Sequence, residues 1–586
     1  MVDTIPITGF VTNAFSDFAA RISEMPANET IIFDIAIILI ISAIFAFLAR
    51  VLRQPLIPAY VLAGLLIGPV VLGFVQNIEL IYAFSEIGIA FLLFTAGLEI
   101  SFKKIKQANL KKILLVGTIQ VVFIILLSIL LGSFFNLSTL QAAYIGIIMA
   151  FGSTMVDIKL LSDKNELITL HGRIVLGILL LQDFVAILAI VVFMTGGFMF
   201  APIVFAIGKL ILLVAVALLL QRFVLNPLFK FAARSTELLF LSALAVLFLF
   251  IILTYLADLS IVIGAFIAGV SLANSPFKLE LESRVSPLRD FFAILFFVAL
   301  GMQIVFSGIG EHLALFFFLI AGGFIIKPLL TFFLVRFNGY RSKTSFLTSI
   351  SLAQLSEFSL IIGMLGVTLG ALSQGIFSVV ILATIITMSV TPYFIEYKEQ
   401  IYRIFKTPLK AFKFLPIREN LEYKDEKDKS VIIAGCHRMG SIILKELADK
   451  GKKDDILVID YNPEIISALI NKKVSCIYGD LGSPDMLENL DFNKLKMVVS
   501  TIPNHEENLH LLGKIKERNK KVEVILASER IDDALDLYEK GADYVILPKV
   551  IAGDRLINII HDKPGRLKNE RKEHIKKLKH IHNILY

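Results

Sequence analysis

From Ile31 to Phe394 the chain passes through about thirteen apolar stretches, each close to the 20 or so residues that a helix needs to cross a hydrocarbon layer. They lie near 31–49, 56–73, 80–98, 111–134, 138–160, 169–195, 201–221, 236–256, 258–275, 287–305, 313–335, 344–368 and 372–396. Composition agrees. With 56% hydrophobic residues, 48 Phe, no Trp and a mean hydropathy of +0.78, the chain is far more apolar than a soluble domain of this length. The sequence is that of a polytopic α-helical membrane protein.

The basic residues test that segmentation, because Lys and Arg gather in alternate, cytoplasmic connections. One set of loops holds Arg50 and Arg53; Lys103, Lys104, Lys106, Lys111 and Lys112; Lys159, Lys164 and Arg173; Arg222, Lys230 and Arg234; Lys278, Arg284 and Arg289; and Arg336, Arg341 and Lys343. The other set has none, and that side carries only Arg21 in the N-terminal leader. A missed or extra helix would break this alternation. It predicts an outside N-terminus and a cytoplasmic C-terminus. Residues 1–30 form a polar extra-cytoplasmic leader with no basic n-region and no small-residue cleavage pattern, so no removable signal peptide is expected. Cys436 and Cys476 both fall on the cytoplasmic side, where no disulfide framework is implied.

After the membrane domain, 31–396, the composition changes. Residues 397–429 read as a charged linker with an amphipathic helix around Ile401–Phe414. Residues 430–560 alternate β-branched runs (431–434, 456–459, 474–478, 497–500, 522–527, 544–547) with helical stretches, the pattern of a doubly wound, Rossmann-like α/β domain. Its first turn, Gly435-Cys436-His437-Arg438-Met439-Gly440, follows a strand and opens a helix, and Asp460 closes the next strand. That arrangement sets a pyrophosphate on a helix N-terminus and a carboxylate on ribose hydroxyls. His437 stands where the middle glycine of the motif permits close backbone approach. Asp480, after the third strand, is either a ligand contact or a loop cap, and Arg438 either a phosphate contact or a solvated helix start. The basic tail, 561–586, suits anionic lipid headgroups or nucleic acid in the abstract; beside a membrane domain it reads as a solvated extension, with no nucleic-acid partner.

The chemistry is expected inside the membrane. Gln182-Asp183 interrupts the apolar run from Ile174 to Ile190, and a carboxylate at such depth is a functional-site hypothesis because it is costly unless a partner or water meets it. Lys327 lies too deep in its span to snorkel and is followed by a kinking Pro328, so a charge partner or a helix-break contact is expected. Glu357 is either a second ion contact or that partner. Lys209 snorkels or faces protein, and Glu86 and Asp157 sit near helix ends as interfacial groups or site residues.

Several runs together carry a resemblance: Phe47–Pro55 through Leu62–Pro69, Phe84–Glu99, Leu181-Gln182-Asp183, Gly264–Gly269 with Ser275-Pro276 and Glu280-Leu281-Glu282, Leu295–Met302, Lys327-Pro328, and Leu352–Phe358. In order and spacing they resemble the Kef-type monovalent cation:proton antiporters. The C-terminal domain is similar to the nucleotide-binding N-lobe of the regulator-of-potassium-conductance family, departing from it at His437 and in lacking an obvious second lobe. The resemblance implies inverted repeats in which two helices break and cross near the midplane. The breaks should fall at Phe151-Gly152-Ser153-Thr154 and at Leu355-Ser356-Glu357. Gly152 then supplies backbone freedom, and Ser153 and Thr154 offer oxygens to a cation or act as small packing residues. It further implies a homodimer among membrane lipids in a prokaryotic plasma membrane, with a cytoplasmic regulatory protein as a candidate partner. AMP, ATP or NAD(H) would be the regulatory ligand, and K⁺ is favoured over Na⁺ as substrate.

One central carboxylate holds either a proton or a monovalent cation, and both occupied forms are neutral. Exchange through Asp183 alone is therefore one for one and electroneutral. In this fold Asp-Asp pairs resemble the electrogenic members; Gln182 cannot titrate, though its amide can hydrogen-bond and orient Asp183. No catalytic or metal site is expected. The other classes considered are a nucleotide-gated potassium channel, a membrane-anchored oxidoreductase and a non-transporting sensor. A channel would need a filter such as TVGYG, and an oxidoreductase would need catalytic residues beside the nucleotide. Neither is found.

Overall fold

The computed structural model describes residues 27–75, 78–99, 110–164, 166–194, 200–409, 422–423, 429–479 and 494–561, with isolated positions 571 and 575. The chain divides into two compact units, one of residues 1–167 and 171–416, the other of 168–170 and 417–586.

Among the described residues of the first unit, nine helices are long and apolar enough to cross a membrane, from Ile31–Val51 to Gln374–Glu396. Four shorter apolar helices, Leu56–Ile67, Ala83–Leu98, Ile261–Leu272 and Glu357–Thr368, fall within other predicted segments. Lipid tails are as apolar as leucine, so helices in a bilayer associate through close packing, and small residues permit the closest. Helices Leu56–Ile67 and Lys278–Met302 meet at Gly64 and Gly301, where a methyl on either glycine would strike the backbone of Val298 or Val61. Helices Ile78–Glu99 and Ile261–Leu272 meet in the same way at Gly97 and Gly269, against Phe266 and Phe94. All four glycines lie in the resemblance motifs.

The helices that build the site are labelled here. Helix α1 is Thr139–Ala150, α2 Thr154–Asp163, α3 Leu170–Met194, α4 Lys327–Phe337, α5 Ser342–Ser351 and α6 Glu357–Thr368. The fifth and twelfth predicted segments are thus each two half-helices. Tyr144 of α1 stacks on Phe193 of α3, ring centroids 3.6 Å apart, which fixes the first break against the helix that carries Asp183. The amphipathic helix of the linker starts at Lys398, three residues before its sequence pattern, and is described as far as Leu409; residues 410–414 of the expected span lie outside the described residues. Lys398 at its start pairs with Glu166, which also meets His171 at 3.1 Å, and Lys164 pairs with Glu396 at 3.1 Å. Burial alone would raise the Glu166 carboxyl, but His171 and Lys398 hold it down at about 2.

The second unit is a seven-stranded sheet of β1 Glu422–Tyr423, β2 Val431–Ala434, β3 Ile456–Asp460, β4 Cys476–Tyr478, β5 Met497–Ser500, β6 Glu523–Ala527 and β7 Tyr544–Ile546, in the order β1-β4-β3-β2-β5-β6-β7. Strands β2 to β7 are parallel, and β1 runs antiparallel on the edge beside β4. Side chains alternate between the faces with a period of two. Ile432 and Ile459 enter one core, with Leu511 and Leu537 from helices His505–Arg518 and Ile531–Glu539. Ile433 and Val458 enter the other, with Leu444 and Ile466 from helices Arg438–Asp449 and Pro463–Asn471. Covered on both faces, the sheet needs continuous apolar strands, as its sequence supplies. Cys436 and Cys476 are buried free thiols.

Candidate functional site

Both helix breaks are built in one way. After Ala150 the chain is extended at Phe151, and Ser153 caps α2 by accepting the Val156 N–H at 3.3 Å. After Ser351 it runs on until Ser356 caps α6, accepting the Phe358 N–H at 3.1 Å and donating its own N–H to Ser359 Oγ at 3.2 Å. Serine thus precedes the first residue of each second half, Thr154 in one and Glu357 in the other.

A break frees backbone groups, which inside a membrane must find partners in the protein. Lys327, fully buried at the start of α4, donates to the carbonyl of Phe151 at 2.8 Å and also to that of Gln354. Gln354 Nε2 in turn donates to Asp157 Oδ1 at 2.8 Å and to the Ser153 carbonyl at 3.3 Å. The Gly152 N–H goes to Gln182 Oε1 at 2.9 Å, the Leu355 N–H to Thr387 at 3.2 Å, and the Ser359 hydroxyl to the Ile148 carbonyl at 2.6 Å. Lys327 therefore makes the helix-break contact that its depth implies. A π-helical turn, Gly322–Ile326, precedes it.

Three details differ from the sequence reading. Asp157, read as either an interfacial group or a site residue near a helix end, is fully buried and bonded to Gln354, which rules out the interfacial alternative. Gln182 bonds the first break and, at 3.4 Å, Gln120, instead of turning its amide to Asp183. Sequence reasoning missed Gln120 and quoted Gln354 only as part of a motif. The less central ionisable groups lie outside the cluster: Lys209 reaches the Ala257 carbonyl at 2.7 Å and Asp258 at 3.3 Å, and Glu86 is exposed.

Asp183, midway along α3, is 8% exposed. The Thr154 hydroxyl lies 3.1 and 2.9 Å from its two oxygens. Both residues line a cavity of about 30 Å³, with Glu357, Thr95 and Arg289 among the other walls. That volume exceeds the 10–15 Å³ or so that one water needs. Ser153 and Gln182 shape the break behind it. Among the described residues no cluster of His, Cys, Asp and Glu is arranged for a metal.

The glycine loop keeps the two glycines whose geometry is demanding. Gly435 has φ +79°, and Gly440 lies so close to the Gly435 carbonyl that a Cβ would not fit. His437 sits at φ −79° and ψ −130°, with an exposed side chain; Arg438 is also exposed and Met439 half-buried. Asp460 accepts the Cys436 N–H at 2.6 Å and the Asn462 N–H at 2.7 Å, one on each oxygen. Burial raises its carboxyl above the ordinary range against these two bonds. Both of its oxygens are thus engaged, one by the loop that follows β2 and one by the loop that follows β3. Asp480 lies outside the described residues.

The transmembrane family model of the sodium/hydrogen exchangers matches residues 36–396, more than half of the chain. The chain belongs to the sodium/hydrogen exchanger family. The exchanger carries a second match, to the TrkA-N domain, over 431–548, which spans the sheet from β2 to β7. It is similar to the glutathione-regulated potassium-efflux system protein KefC of Salmonella schwarzengrund, 30% identical over 489 residues, 82% of this chain and 77% of that one. KefC of Klebsiella pneumoniae is 28% identical over 494 residues, with 83% and 77% covered. Among solved structures, the sodium proton antiporter MjNhaP1 of Methanocaldococcus jannaschii covers 66% of this chain and 98% of its own, at 17% identity and a TM-score of 0.48. The protein is accordingly a Kef-type cation:proton antiporter with a C-terminal TrkA-N domain, a transporter and not an enzyme in the catalytic sense.

Proposed function

We propose that the exchanger moves one monovalent cation, K⁺ in preference to Na⁺, against one proton, the two competing for Asp183. The observation that carries this reading is the seat of Asp183: a buried carboxylate midway along a membrane helix, on a cavity, touched by a hydroxyl from the broken helix. A threonine hydroxyl can donate to a carboxylate or accept from a carboxylic acid, so Thr154 can follow Asp183 through both states. Gln182 adds no second proton, which supports one-for-one exchange. The names of both relatives as potassium-efflux proteins support K⁺. The membrane orientation read from Lys and Arg, the prokaryotic plasma membrane and a homodimer belong to the same proposal.

Regulation would come from an adenine nucleotide held by the Gly435–Gly440 helix start and Asp460, biasing transport through its differential affinity for two states of the protein. The direct test of exchange is dequenching of a pH dye in proteoliposomes, with K⁺ and Na⁺ varied separately. Proton movement that follows K⁺ more steeply than Na⁺ is expected; none with either cation would sink the reading. Calorimetry on the full chain with AMP, ATP, NAD⁺ and NADH tests the regulatory part.

A further inference from the structure

Glu357 is the carboxylate that this mechanism leaves unused. It is 5% exposed, and its Oε2 is buried without a hydrogen-bond partner in the protein. It lines the same cavity as Asp183. Lys327 does not take it up, because that ammonium is committed to the carbonyls of Phe151 and Gln354. Arg289, the cation on the cavity wall, is paired with Asp290 at 2.8 Å.

The Glu357 carboxyl has its own amide at the start of α6, and the Ser153 hydroxyl and the Met155 amide at the start of α2, lying against it as donors. The positive ends of both half-helices therefore converge on one carboxylate. Backbone amides can only donate, so they meet Glu357 through oxygens acting as acceptors. Asp183 is held by a hydroxyl that suits either form.

Resting on the exchange reading above, we propose that Glu357 is a fixed, non-exchanging ligand of the transported cation: it sets cation affinity while Asp183 alone trades cation for proton. Because Glu357 keeps its charge throughout, the exchange stays electroneutral. An alkali cation in the cavity would take oxygens from both carboxylates and from Thr154. This arrangement also explains why α6 opens on glutamate where α2, at the matching position, opens on threonine.

The test compares wild type, Glu357→Gln and Glu357→Asp in proteoliposomes, each first shown monodisperse by size exclusion, with half-saturating K⁺ read from dye dequenching at fixed pH. Losing a charged ligand is worth about tenfold or more in affinity. Glu357→Gln should raise half-saturating K⁺ by that factor with a smaller change in maximal rate, while Glu357→Asp, which keeps the charge, should recover part of it. Unchanged half-saturation with a reduced rate in both variants would overturn the proposal and leave Glu357 a helix-start residue. So would wild-type uptake driven by a membrane potential and lost in Glu357→Gln, because Glu357 would then be a second proton carrier. Failure of the exchange reading itself is distinguishable, since it appears as undiminished exchange in Asp183→Asn whatever Glu357 does.

Discussion

Two buried aspartates, one in each unit, show how the donor that faces a carboxylate decides what it can do. Asp460 is gripped by two backbone amides, one per oxygen, at 2.6 and 2.7 Å. Asp183 is met by the Thr154 hydroxyl at 2.9 and 3.1 Å and opens on a cavity. An amide N–H has one polarity. A hydroxyl has two. The first arrangement suits a constant structural anion that fixes the glycine loop, and the second a group that gains and loses a proton with every cycle.

The largest expected effect follows from removing titration at the exchangeable site. Asp183→Asn should abolish cation-driven proton movement in proteoliposomes while keeping the variant's size-exclusion profile, since volume and shape are preserved. Exchange at the wild-type rate would end the contrast between the two aspartates.

Next in size is the donor itself. Thr154→Val keeps the shape but removes a hydrogen bond to a charged group, worth about 1.5–3 kcal/mol, so the cation–proton competition should shift by about tenfold or more. Thr154→Ser should stay near wild type. Equal loss in both variants, read from the pH and K⁺ dependence of dequenching, would mean that the methyl matters and the hydroxyl does not.

In the other unit, Asp460→Asn should leave the exchange chemistry intact and destabilise the sheet domain by about 1–3 kcal/mol, because an amide NH₂ now faces a buried backbone N–H. A lowered unfolding midpoint in the full chain, with weakened nucleotide binding by calorimetry, is the expected pair of readings. The smallest effect belongs to His437→Gly. Its side chain is exposed, so stability should change by no more than about 0.5 kcal/mol. A large gain in nucleotide affinity would show instead that the imidazole obstructs the phosphate.

Much of this could be read before any coordinates. The apolar runs, the alternating Lys and Arg, the six long-patterned strands and the depth of Asp183 and Lys327 are all one-dimensional signals. Both breaks were legible through Gly152-Ser153-Thr154 and Ser356-Glu357. Asp157 was not, because its distance along the chain from a helix end says nothing about depth once the helix is a buried half-helix. Gln354 and Gln120 stayed hidden for a related reason: an uncharged amide in an apolar stretch carries no penalty large enough to mark it, and its partners lie far off in sequence. Strand β1, with only two residues, has no periodicity to detect.

The paired glycines carry a mechanical lesson. Where Gly64 meets Val298, Gly301 meets Val61, and Gly97 and Gly269 meet the facing helices, backbone rests on backbone with no side chain to act as a bearing. Such a joint cannot slide without a collision, so Leu56–Ile67 is locked to Lys278–Met302 and Ile78–Glu99 to Ile261–Leu272. Each of these two pairs can therefore move only as one piece.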